Sequence, residues 1–249
     1  MDLNADLGEG FGVWKLGDDE ALLDLVTSAN VACGFHGGDP SIMRAVCAAA
    51  ADRGVAIGAQ VGYRDLAGFG RRRIDYRHDD LRDEIIYQIA ALDGFARIAG
   101  DRVRYVKPHG ALYNTAAVDE LQAGAVVDAI TDYDAGLPVL CQPGSTLARL
   151  AADAGLRVVG EGFADRSYLP DGRLTPRTHP DAVIHNSAAV ADRVVQMAVE
   201  HTVTAVDGTE VPCRVDSICL HGDTAGAVDL ARRVRASLLD ADLSLASFA

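Results

Sequence analysis

Along this chain, short runs rich in β-branched and alternating apolar residues give way, again and again, to longer segments whose apolar positions recur at helical spacing. The short runs predict strands near Asp2–Leu7, Ser28–Cys33, Val55–Val61, Val103–Lys107, Leu137–Cys141, Leu156–Glu161 and Ser217–Leu220. The longer segments predict helices over Asp19–Thr27, Ser41–Arg53, Asp79–Ala99, Val118–Thr131, Ser145–Ala154, Ala188–Glu200 and Ala225–Leu239. Asp39-Pro40 reads as a helix cap followed by a first-turn proline, and Gly54, Gly100 and Gly155 read as helix stops. Repeated strand–helix units imply a parallel sheet with right-handed crossovers. Seven such units without a linker predict one α/β domain over residues 1–249, a (β/α) barrel of about seven parallel strands. Two stretches, Gly62–Arg77 and Phe163–His185, break the rhythm as long loops punctuated by glycine or proline; loops of that length are usually functional or disordered.

Composition narrows the partners. The 249 residues are 49% hydrophobic and 24% charged, which suits a globular core. A formal net charge of −13 repels phosphate backbones and anionic lipid, so nucleic acid and membrane surfaces are poor partners. Five cysteines at irregular spacing, with no C-x-x-C pair, make neither a disulfide framework nor a zinc ribbon. The opening residues lack the basic and apolar regions of a signal peptide, and no apolar run approaches the ~20 residues of a membrane span. The expected compartment is the cytoplasm.

Candidate chemistry collects at the carboxyl ends of the predicted strands: Asn4 and Asp6, Asn30 with His36, Gln60, Lys107 and His109, Glu161, then His221 and Asp223. Three of these are i, i+2 pairs, which extended backbone aims to one face. The C-terminal rim of a parallel barrel is where such side chains meet at a shared centre. Each residue also has a plain structural reading: Asp6 as a cap, Asn30 as a buried hydrogen-bonding group, His36 as a structural histidine among glycines. Lys107 is more informative, because Lys15 is the only other lysine in an arginine-rich chain. A compact ammonium is therefore expected to be required there, as an unpaired charge at the rim. Arg71, Arg72 and Arg73 follow a glycine turn and suit a carboxylate or phosphate, or simply a solvated face. His36, His109, His221, Asp6 and Asp223 are metal-ligand types, yet no H-E-x-x-H or His-x-His spacing organises them. Gly8-Glu9-Gly10-Phe11-Gly12 fits neither dinucleotide nor phosphate-loop patterns.

Several of these segments also carry a resemblance. Asp2-Leu3-Asn4-Ala5-Asp6-Leu7-Gly8-Glu9, Ser28 through His36, Gly68-Phe69-Gly70-Arg71-Arg72, Val106 through Asn114, Glu161 through Arg166 and Leu220-His221-Gly222-Asp223 resemble the LamB/YcsF family, in order from the first residues to the last helix. The resemblance implies a barrel similar to that of the sugar deacetylases. It implies ATP-dependent opening of the lactam 5-oxo-L-proline to L-glutamate, in a complex with two further 5-oxoprolinase subunits, B and C. ATP would come with Mg²⁺ as its companion, and no tightly bound protein metal is expected. One departure stands out: many relatives read Ala-His-Pro-Gly where this chain has Ala59-Gln60-Val61-Gly62. Glutamine does not titrate, so a proton-transfer or metal role there is not carried over.

Under this reading, Asp6 or Asp223 serves as general base, His109 or His221 relays protons, and Lys107 with Arg71 or Arg72 neutralises substrate charge. Asn4 and Asn30 orient the ring amide, and His36, Gln60 and Glu161 complete the substrate- or phosphate-binding set. Two alternatives stay open: a metal-dependent amidase or deacetylase on the same rim, and a non-catalytic subunit that holds substrate. The sequence also leaves room for a homo-oligomer.

Overall fold

The computed structural model describes residues 1–222 and 226–249. Seven parallel strands close into a barrel in the order β1 (Asp2–Leu7), β2 (Ser28–Ala32), β3 (Ala56–Val61), β4 (Val103–Pro108), β5 (Val139–Cys141), β6 (Val158–Phe163) and β9 (Ser217–His221), with β9 returning to β1. Helices α1 (Asp19–Leu23), α2 (Pro40–Arg53), α3 (His78–Ile98), α5 (Glu120–Asp134), α6 (Thr146–Asp153), α7 (Ser187–Val195) and α8 (Ala227–Asp240) alternate with these strands. Three elements are additions to the sequence reading. They are a short helix α4 (Gly110–Ala116) and the two strands of an antiparallel hairpin, β7 (Thr202–Thr204) and β8 (Glu210–Pro212). The helix expected over Ala188–Glu200 is α7 followed by a π turn at Gln196–Glu200. Ala225, the expected start of the last helix, lies outside the described residues.

Local chemistry sets the boundaries. Asp39 accepts from the Ser41 and Ile42 amides ahead of Pro40, and Gly54 closes α2 in the left-handed region. The first helix stops at Leu23 because the Leu25 and Val26 amides turn back to the Leu22 carbonyl. In β1, Leu3, Ala5 and Leu7 face the large apolar layer under the helices, while Asp2, Asn4 and Asp6 point into the barrel. The barrel floor is apolar: Ala56, Tyr105, Leu140 and Val159 pack together, with Phe248 from the C-terminal tail against them. Gly58 makes room for this floor, since a Cβ there would fall inside the Tyr105 ring.

Candidate active site

Above that floor the interior is a ladder of hydrogen bonds. The Ser217 hydroxyl donates to Asp2, and Asn4 Nδ2 donates to Ser217 Oγ at 2.7 Å. Asn30 Nδ2 donates to both Asn4 Oδ1 (2.6 Å) and Asp6 Oδ1 (2.9 Å), while the Tyr105 hydroxyl donates to Asn30 Oδ1 at 2.6 Å. Strand register makes this possible, because Asp6 lies level with Asn30 on one side and His221 on the other. Asn4 and Asn30 are fully buried beneath Asp6 and spend their amides on one another and on their neighbours. The ring-orienting role expected for them is therefore replaced by a supporting one, which fixes Asp6.

Lys107 crowns the ladder. Its Nζ donates to Asp6 Oδ1 at 2.8 Å and to Cys219 Sγ at 3.1 Å, and forms an ion pair with Glu161 Oε1 at 2.8 Å, where both Glu161 oxygens are buried without an aligned hydrogen bond. Only 2% of its surface is exposed. The expectation of an unpaired rim charge is overturned, since the i, i+2 alternation of β4 turns Lys107 into the barrel, where two carboxylates from opposite strands reach it. Burial alone would lower the lysine, but Asp6, Cys219 and Glu161 hold it well above its ordinary value. Burial likewise opposes ionisation of Asp6; the charges of Lys107 and His221 and the bonds from Lys107 and Asn30 more than offset it, leaving that carboxyl low. Glu161 goes the other way: burial raises it, and Lys107 only partly compensates. Two carboxyls on one ammonium are thus pushed apart, which is how a site separates a base from an acid.

Beside Asp6, His221 Nδ1 is 2.8 Å from Asp165 Oδ1, and Arg177 Nη2 is 3.2 Å from His221 Nε2. A guanidinium only donates, so in the neutral ring Nε2 accepts and Nδ1 carries the proton toward Asp165. Burial works to raise Asp165, yet the His221 charge and bond hold it low. Phe163 stacks on the imidazole, with ring centroids 5.7 Å apart. Asp6, Lys107, His109, His221, Arg71 and Arg177 share the wall of a cavity of about 40 Å³. That cavity continues through Arg71, Asn114, Arg166 and Arg177 into a cleft of about 530 Å³.

A second polar cluster lies behind His109. His36 Nε2 is 3.0 Å from Gln60 Oε1, and Gln60 Nε2 donates to Glu9 Oε1 at 3.0 Å, which sets the amide orientation and places the His36 proton on Nε2. The His36 and His109 rings stack 4.0 Å apart at 17°, and both Nδ1 atoms are buried without a hydrogen-bond partner. Gly70 permits the stack, for a Cβ there would come within 2.8 Å of His36 Cβ and 3.0 Å of His109 Nδ1. Burial brings His36 down to about 4, the Gln60 bond notwithstanding, and drives His109 well below its usual range. Both imidazoles are therefore neutral at pH 7. His109 therefore stands in the cavity wall as a neutral ring.

Glu9, His36 and His109 are the one group among the described residues with three ligand-type atoms within 4.8 Å of one another. An imidazole binds a metal in its own plane, along the nitrogen lone pair. Two nearly parallel planes this far apart do not share one ion without a ring turning. As it stands, the cluster is joined through the Gln60 amide, which bridges Glu9 and His36.

Of the remaining expected residues, Glu161 is buried against Lys107 below the cavity, and His36 and Gln60 sit one layer behind its wall. Arg72 points away and pairs with Asp65, while Arg71 lines the cavity with its guanidinium over Phe69. A substrate-binding role for Arg72 is thus withdrawn, because the turn at Asp65 captures its side chain. Asp223 lies outside the described residues. Glu9, Tyr113, Asp165, Arg166 and Arg177 were missed as functional residues, although all but Arg177 fall inside the segments that carry the family resemblance.

The LamB/YcsF family model matches residues 1–249. The chain is 59% identical over 249 residues to the A subunit of 5-oxoprolinase from Streptomyces avermitilis, covering 100% of both chains. It is 58% identical over 248 residues to the protein of the same name from Nocardia farcinica, covering 100% of this chain and 99% of that one. Its fold superposes with a TM-score of 0.95 on the crystal structure of the lactam utilization protein from Thermus thermophilus, at 42% identity and 100% and 99% coverage. The seven-stranded barrel expected from the strand–helix alternation is thus the fold observed.

Proposed function

The chain belongs to the LamB/YcsF family, and on that premise we propose that it is the lactam-opening subunit of an ATP-dependent 5-oxoprolinase. It converts 5-oxo-L-proline to L-glutamate together with two partner subunits, B and C. The observation that carries the reading is Lys107 held between Asp6 and Glu161 at the base of a cavity walled by His221 and three arginines. A lactam carbonyl is a weak electrophile, and the five-membered ring closes readily. Transfer of the ATP γ-phosphoryl group to the amide oxygen makes the ring carbon electrophilic and supplies phosphate as a leaving group. Mg²⁺ enters only as the companion of the ATP phosphates, and no tightly bound protein metal is required.

Asp6, ionised and fixed by Asn30 and Lys107, takes the proton from the attacking water. The oxygen of water bonds to the former carbonyl carbon, the nitrogen takes up a proton as the C–N bond breaks to leave an acyl phosphate and the free amine, and a second water then displaces phosphate to give the carboxylate of glutamate. Asp6 returns to that nitrogen the proton it took from water, while His221, held by Asp165 and accepting from Arg177, orients the wall beside it. Lys107 offsets negative charge developing on oxygen, and Arg71 and Arg177 face the anionic groups at the mouth of the cavity, the transferred phosphoryl among them.

Asp6→Asn tests this. In the complex reconstituted with its partner subunits, it should lower ATP-dependent glutamate release by about 10²–10⁴-fold, the usual share of a general base. Near-normal release would remove Asp6 from the chemistry. Glutamate release without ATP would overturn the coupled reaction.

A further inference from the structure

The large cleft beside the active cavity has an unusual wall for so acidic a protein. Acidic residues outnumber basic ones 36 to 23 in the chain, yet the cleft is lined by Arg71, Arg73, Arg166, Arg173 and Arg177 and, among the described residues, by no aspartate or glutamate. These arginines come from two separate loops. Arg71 and Arg73 follow the turn at Leu66–Gly68, and the other three belong to the long excursion after β6. Both excursions interrupt the strand–helix rhythm of the sequence, and they come together in the wall of this cleft.

Arg166 is the least expected member. It is 4% exposed, and its guanidinium is held by the backbone carbonyls of Thr175 (2.6 Å) and Ala182 (3.1 Å) rather than by a carboxylate. The nearest acid in sequence, Asp165, is committed to His221. Burial brings the Arg166 guanidinium down to about 10, so the fold keeps a cation where solvation disfavours it. Arg73 and Arg173 are anchored at the rim by Asp75, Asp119 and Asp171, which stand outside the cleft wall. Leu169, Leu174, Pro176 and Val118 also line the cleft and give it an apolar component. Concentrated guanidinium donors with an apolar component match a phosphorylated small molecule. The cleft's ~530 Å³ falls in the range of small-molecule sites.

We propose that this cleft is a phosphoryl-anion site that opens directly into the Asp6–Lys107 cavity. The shared residues Arg71, Arg166 and Arg177 place the bound phosphoryl group between the cleft and the catalytic carboxylate. The inference rests on the proposed reaction for the identity of the ligand, either the polyphosphate of ATP or a phosphorylated lactam, but not for the existence of the site.

Calorimetric titration of the full chain with pyrophosphate, and separately with ATP, tests it without turnover. Arg73→Met/Arg173→Met alters two half-exposed side chains at the rim, so folding should be kept; a melting curve checks this. Binding of either probe that weakens by about tenfold or more in the double variant, and weakens with added salt, supports the site. ATP held at least tenfold more tightly than pyrophosphate assigns the apolar component to a nucleoside. Equal affinity assigns the site to the phosphoryl group alone. No binding of either probe, or binding unchanged in the double variant, overturns the proposal. Glutamate release by the reconstituted complex judges the lactam reading separately. Anion binding without lactam opening sinks that reading and leaves the site standing.

Discussion

The barrel rim carries two buried polar clusters built from similar residue types, and they reach opposite electrostatic solutions. Around Lys107 the fold keeps charges: an ammonium between two carboxylates, with Asp6 ionised and supported from below by two asparagines. Around His36 the fold removes charge from the rings: burial with an amide rather than a counter-ion as His36's partner leaves both imidazoles neutral. Burial is nearly equal in the two places. The difference lies in the partners: Lys107 sits 2.8 Å from each of two carboxylates, whereas Glu9 stands 3.6 Å from His109 Nε2 and His36 is held by an amide, so depth alone does not decide the ionisation of a rim residue. The charged cluster can move protons and balance developing charge. The neutral one holds the wall in shape.

The sharpest way to break this contrast is to remove the shared cation. Lys107→Met leaves two buried carboxylates without a partner, which should cost about 3–5 kcal/mol of stability. That lowers the melting temperature on the order of 10 °C for a chain of this size and cuts turnover by about 10²–10³-fold. An unchanged melting curve would show that the pair is not the buried network described above.

The neutral cluster should respond to pH instead. His36 is lowered in the folded state, from 6.5 to about 4, so the stability it contributes is present above its unfolded value and lost as pH falls from 6.5 toward 4. The amount is about 3 kcal/mol. Denaturant titrations at pH 7 and pH 4 should show a steeper loss in the wild type than in His36→Asn, which cannot titrate there. Parallel losses would mean that the ring is charged or exposed in the native protein.

A smaller effect separates the two carboxylates. Adding Glu161→Gln to Lys107→Met should recover about 1–3 kcal/mol, because it neutralises one orphaned acid. In the otherwise native chain, the same change should destabilise less than Lys107→Met, since burial already disfavours the Glu161 anion. Equal penalties would show that Glu161 is as firmly ionised as Asp6. Smallest of all should be Gln60→His. An imidazole still offers one donor and one acceptor between Glu9 and His36, so the expected change is below about 1.5 kcal/mol, with a new pH dependence as its signature. A collapse of folding would show that only the amide can bridge that pair.

The alternation of short β runs with helical segments was enough to predict the seven-stranded parallel barrel, because strand and helix periods are local properties of the chain. The same logic placed Asp6, Lys107 and His221 at strand ends, since alternation along a strand selects the face a side chain takes. It did not extend to the hairpin at Thr202–Pro212 or to Gly110–Ala116, elements too short for a periodicity to register. Partnership lay beyond it as well. Lys107 reads as a lone rim charge in sequence and becomes a buried bridge only when β1 and β6 bring Asp6 and Glu161 to it from far along the chain. Asn4 and Asn30 look like ligands for substrate until barrel closure places them under Asp6. Arg166, Arg173 and Arg177 lie in a loop without periodicity, and only its fold against the Gly68–Arg73 turn makes them one wall. Faces are set by local backbone geometry, which sequence encodes directly; ionisation, pairing and cleft composition depend on which distant strands become neighbours, and that is decided when the sheet closes.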